Sequence, residues 1–111
     1  MDIKEYAERI RNERLVISEL VISHRTKNIV FHFTDITMIF IKPLEPDRDV
    51  MCLVFRNCRS VSLKDEVLNT PFRPAFIIED ISDRGYENCN YFVKDAEEEC
   101  SFYCESIKGS E

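Results

Sequence analysis

"VMCLVFRNCRSVSLK", residues 50–64, decides how this chain folds. Met51, Leu53 and Phe55 recur at every second position, the period of a strand. Asn57 and Arg59 interrupt the series on the same parity, and Val61 and Leu63 resume it. Asn is suited to a tight turn. The stretch therefore reads as strand, turn around Asn57–Cys58, strand.

The flanking chain repeats this grammar. "LVISELVIS", residues 15–23, is β-branched and of strand length, and "HRTKN" follows as a polar turn. In "IVFHFTDITMIFIKP", residues 29–43, Ile29, Phe31 and Phe33 alternate with Val30, His32 and Thr34. Asp35 falls on the apolar parity, so a turn or bulge near Thr34–Asp35 would divide the segment into two strands; the alternative is one long bent strand. "LEPDRD" is a loop punctuated by Pro43 and Pro46. Residues 65–74 read as irregular. "AFIIEDIS" is a strand, "DRGY" a turn, "ENCNYFVKD" a strand, "AEEE" a turn, and "CSFYCESI" a last strand.

Only the first residues have helical period. Ile3, Tyr6, Ala7 and Ile10 share one face, Asp2 is placed to cap the start with Glu5 three residues on, and Glu5–Arg9 and Arg9–Glu13 are i,i+4 charge pairs. The fold class is thus α+β, mostly β. An amphipathic helix over 2–14 packs on an antiparallel sheet of about seven strands, meander-like and curled into a sandwich or partly open barrel. The turns are too short for the crossover helices of parallel strands. The 111 residues suit one domain, with the β part over 15–108 and a short polar tail over 109–111.

Composition excludes several functions. With glycine only at 85 and 109, no Rossmann or P-loop phosphate cradle is present. Residues 1–78 carry 12 Lys/Arg against 11 Asp/Glu, whereas residues 79–111 carry 3 against 10. The net charge of −6 thus lies in the last third. No basic face suggests nucleic acid, and an acidic region suits a basic protein partner. No apolar run approaches the roughly 20 residues that span a bilayer. The start lacks the pattern of an export signal and the cysteines are odd in number, so free thiols in a cytoplasmic protein are expected.

No cofactor, metal site or catalytic set is expected from the motifs. Cys100 and Cys104 would lie about 13 Å apart on a strand, too far to share an ion. On that strand Cys100, Phe102 and Cys104 face the core, and Ser101, Tyr103 and Glu105 face outward. With Tyr91 and the turn residues Glu97 and Glu98, these form the expected partner-binding set, since tyrosine adds contact area with a polar tip. The function expected is a small acidic protein-binding module without catalysis, of adaptor or immunity type, with a basic partner. Two alternatives stand beside it: a small-molecule barrel or enzyme with a pocket near His32 and Tyr91, and a homodimer formed through a sheet edge.

Overall fold

The computed structural model describes residues 2–26, 32–65, 67 and 73–111. Helix α1 spans Ile3–Asn12. Asp2 Oδ1 accepts the Glu5 N–H at 2.9 Å, as the capping pattern requires. The helix ends in a reciprocal pair of backbone bonds, Leu15 N–H to Ile10 O at 3.0 Å and Arg14 N–H to Arg11 O at 3.3 Å. Arg14 takes the left-handed conformation that this closure needs, with φ at 53°. Ile10 and Leu15 then bury side by side in the core. Arg9 pairs with Glu13, and no Glu5–Arg9 pair forms.

Eight strands follow: β1 Val16–Thr26, β2 His32–Lys42, β3 Glu45–Arg56, β4 Arg59–Leu63, β5 Phe76–Asp80, β6 Tyr91–Asp95, β7 Cys100–Cys104 and β8 Ser106–Ser110. They build two four-stranded antiparallel sheets, sheet A in the order β1-β2-β3-β8 and sheet B in the order β4-β7-β6-β5. A single sheet of about seven strands is therefore not what forms, and the described strands close no barrel. The inner faces of the two sheets meet edge-on through aromatic rings. Phe55 packs against Phe102 at 5.0 Å between centroids, and Phe40 and Phe55 each meet Phe76 at 6.3 Å. Helix α1 seals this core beside β5 and β8. Its Tyr6 ring lies where a Cβ on Gly109 would stand, 2.4 Å away.

Several boundaries differ from the sequence reading. "HRTKN" does not turn at once: His24, Arg25 and Thr26 continue β1, paired with Thr34, Phe33 and His32. Residues 27–31 lie outside the described ones. β2 runs unbroken past Thr34–Asp35, so the single-strand alternative holds and the division does not. Glu45–Asp49, expected as loop, belong to β3, with slipped pairing against Ile41 and Lys42. "CSFYCESI" is two strands divided at Glu105, and residues 109–110, expected as tail, pair in β8 opposite Leu53 and Cys52. In the irregular stretch over 65–74, residues 66 and 68–72 lie outside the described ones.

Candidate functional site

The turn at Asn57–Cys58 is where the chain changes sheets. β3 leaves sheet A at Arg56 and β4 begins in sheet B at Arg59; β7 leaves sheet B at Cys104 and β8 begins in sheet A at Ser106. The two crossings run side by side. Glu105 N–H donates to Arg56 O at 2.9 Å. Asn57 Nδ2 donates to Glu105 Oε2 at 2.9 Å, and Asn90 Nδ2 to Glu105 O at 2.9 Å. Asn57 has φ at 53°, the left-handed region that Asn tolerates.

Asp35 anchors this corner from the neighbouring strand. Its Oδ1 accepts the Asn57 N–H at 3.0 Å, and Oδ2 accepts from Arg56 Nη1 at 2.9 Å. Arg25 Nη2 adds a bond to Oδ1 at 3.2 Å, with its guanidinium over the Phe33 ring. The carboxylate is 2% exposed, whereas the side chains of Arg25 and Arg56 are 51% and 46% exposed. Burial pushes the Asp35 carboxyl up, but the hydrogen bonds from Arg25, Asn57 and Arg56 more than offset it and hold it below the usual carboxylate range. These bonds are why Asp35 does not break β2. The buried carboxylate and the Asn57 N–H are thus paired within the chain, and the cluster builds the corner.

The outer face of sheet B carries the side chains that project to solvent. The strand pairing lines up Glu79, Phe92, Tyr103 and Arg59 in one row across β5, β6, β7 and β4. Ile77, Lys94, Ser101 and Ser62 form the next row. Phe92 and Tyr103 stack at 4.7 Å between centroids. Ile77 is 44% exposed. The face is therefore an aromatic pair bordered by charges of both signs.

Of the residues expected at a partner site, the structure brings together only Ser101 and Tyr103. Tyr91 falls on the opposite parity, packs against the core, and borders a groove of about 640 Å³ between α1 and β5. Glu105 is spent on Asn57 at the corner. Glu97 and Glu98 stand exposed in the β6–β7 turn, at the far end of β7 from Glu105. Phe92, Lys94, Glu79, Arg59 and Ile77 went unselected, although the parity of "YFVKD" and "AFIIED" could have placed them. The side chain of His32 lies outside the described ones. The groove beside Tyr91 is walled by Ile3, Lys4, Ala7 and Arg11 on the helix and by Ile78 and Asp80 on the strand. Asp80 is held below its usual range by the hydroxyl and backbone N–H of Ser82, which occupy it.

The five cysteines are unpaired. Cys100, Phe102 and Cys104 are fully buried on the inner face of β7, as their alternation implies. Burial pushes the Cys58 and Cys100 thiols up to about 12, and Cys104 upward as well. Thiols so raised stay protonated and behave as small apolar side chains. Among the described residues no three of His, Cys, Asp and Glu stand close enough to hold a metal, and no helix is long and apolar enough to cross a membrane.

A family model described as "Immunity protein PIM8" matches residues 1–110. Among curated proteins and solved structures, nothing matches.

Proposed function

The chain belongs to the family of immunity protein PIM8, and from that premise we propose that it neutralises a protein toxin by binding it, with no reaction of its own. The observation that carries the reading to a surface is the half-buried Phe92–Tyr103 ring pair on the outer face of sheet B, set among Arg59, Lys94 and Glu79. Binding energy at protein interfaces concentrates in such aromatic and arginine anchors, with polar neighbours excluding water around them. Tyr103 and Ser101 make the contact, together with Phe92, which the same row supplies.

The partner is basic. The net charge of −6 draws it in over long range, with Glu97 and Glu98 exposed at the hairpin turn next to the face. Contact itself falls on a face of mixed charge, so salt acts on the association rate more than on dissociation. We place this encounter in the cytoplasm, a reducing compartment in keeping with the unpaired thiols.

The partner is obtained by affinity purification from the native host with mass spectrometry, and the pair is then measured by calorimetry. Tyr103→Ala should weaken binding by about 30-fold or more, as for an interface anchor, with the melting temperature nearly unchanged. If Tyr103→Ala and Phe92→Ala both leave the affinity intact, sheet B is not the contact face. Association equally fast at low and high salt would refute the basic partner.

A further inference from the structure

Sheet A has a second face that the toxin reading does not use. Inner residues Ile36, Met38, Phe40, Leu53 and Phe55 are fully buried against sheet B and α1. The opposite parity is mixed, with an apolar centre at Ile39, Cys52 and Val54. Pairing places Val21, Thr37, Val54 and Lys108 in one row across β1, β2, β3 and β8, and Glu19, Ile39, Cys52 and Ser110 in the next. An apolar patch left at the centre of an outer sheet face is a candidate contact surface. Here Ile39, Cys52 and Val54 are only half-buried, by their own neighbours, and Val21 is 42% exposed. Helix α1 gives no cover, because it packs on the inner side, with Tyr6 against Gly109.

We propose that the outer face of sheet A is the interface of a homodimer, two copies packing face to face about a two-fold axis parallel to the strands. Charge complementarity selects the occupant. On this face Glu19 stands exposed on β1 and Lys108 on β8, whereas the Asp35 carboxylate on β2 is buried and already paired with Arg56 on β3. Arg25 on β1 is engaged by Asp35. A two-fold along the strands between β2 and β3 sets the β1–β2 half of one copy over the β3–β8 half of the other. Each Glu19 then comes within reach of the partner copy's lysine stem on β8, and Ile39 meets the Cys52–Val54 stretch. The aliphatic face thus goes to self-association and the aromatic face of sheet B remains for the toxin.

Four strands about 4.8 Å apart and some seven residues long, at about 3.3 Å each, offer a plane of roughly 400 Å². That is below the roughly 800 Å² per partner of a standard interface. The dimer is therefore reversible and depends on concentration.

Sedimentation velocity across a concentration series tests this on the full chain. The wild type should pass from monomer to dimer. Glu19→Lys should shift the midpoint upward by roughly tenfold or more, because like charges then face each other. The double variant Glu19→Lys with Lys108→Glu should restore it. Both positions are exposed, so folding is spared; circular dichroism and melting verify that. Tyr103→Ala should dimerise like the wild type. A wild type monomeric up to its highest soluble concentration overturns the proposal, as does a dimer indifferent to Glu19→Lys. So does a monomer whose toxin binding is abolished by Val54→Lys, for then the toxin occupies this face. Failure of the Tyr103→Ala binding test alone leaves the dimer untouched, which keeps the two readings separable.

Discussion

Replacing Asp35 tests whether one buried carboxylate holds the corner together. In Asp35→Ala the Asn57 N–H loses its acceptor in a place where Asn57 is 6% exposed. An unpaired buried donor costs about 1–3 kcal/mol. Arg25 and Arg56 also lose their partner, but both are about half exposed and rehydrate, so each lost pair adds only about 0–1 kcal/mol. The sum is about 1–5 kcal/mol, with a centre of about 3 kcal/mol. Asp35→Asn keeps an oxygen for the Asn57 N–H and should cost about 1 kcal/mol. For a chain of this size 1 kcal/mol moves the melting temperature by roughly 3–6 °C. The central difference of about 2 kcal/mol should therefore separate the two variants by roughly 6–12 °C in calorimetry at neutral pH. The carboxyl is held below its ordinary value in the fold, so its contribution is present above the unfolded value of about 3.9 and is lost as pH falls through the lower folded value. The gap between wild type and Asp35→Asn should thus close below about pH 4. If alanine and asparagine prove equivalent, or the gap persists into acid, the anchoring argument is wrong.

Gly109→Ala drives a methyl into the Tyr6 ring, 2.4 Å away, and should cost about 1–3 kcal/mol by denaturant melt. The cost should shrink in a Tyr6→Leu background, as a double-mutant cycle would register. Phe102→Ala removes a ring at 0% exposure that meets Phe55, and should lose about 3–5 kcal/mol. Ellman's reagent on the native protein should reach Cys52 and Cys89, both partly exposed, well before Cys58, Cys100 and Cys104, and all five at once in denaturant. Rapid native labelling of Cys104 would contradict its burial.

Periodicity made some of this structure legible. The 3.6-residue pattern of Ile3, Tyr6, Ala7 and Ile10 located the helix, and the alternation of Cys100, Phe102 and Cys104 located an inner face. Parity tells which residues share a face but says nothing of which strand lies beside which. The division into two sheets was therefore invisible: Asn57 and Glu105, 48 residues apart, meet only in the fold. Asp35 misled for a related reason. A carboxylate on an apolar parity looks like a break until Arg25 and Arg56, 10 and 21 residues away, are seen to satisfy it. Tyr91 and Glu105 sit at or beside strand ends, where a single residue decides whether a side chain points outward, packs inward or joins a corner. The outer face of sheet A had a readable signal. Ile39 on β2 and Cys52 and Val54 on β3 fall on the parity opposite Ile36, Met38, Phe40, Leu53 and Phe55, so the centre of the outer face is apolar as well.

The double crossing at the corner also bears on how the protein is made. β3 cannot complete its pairing until Ser106–Ser110 exist, some fifty residues further along. β4 likewise waits for β7. While a ribosome is still adding those residues, β1–β3 form at most a half-built sheet whose Leu53 and Phe55 lack cover. Pairing between such distant segments is slow, and an open strand edge is sticky meanwhile. Completion of the fold therefore lags behind translation, and the working pool of this protein is the copies finished earlier, not those still emerging.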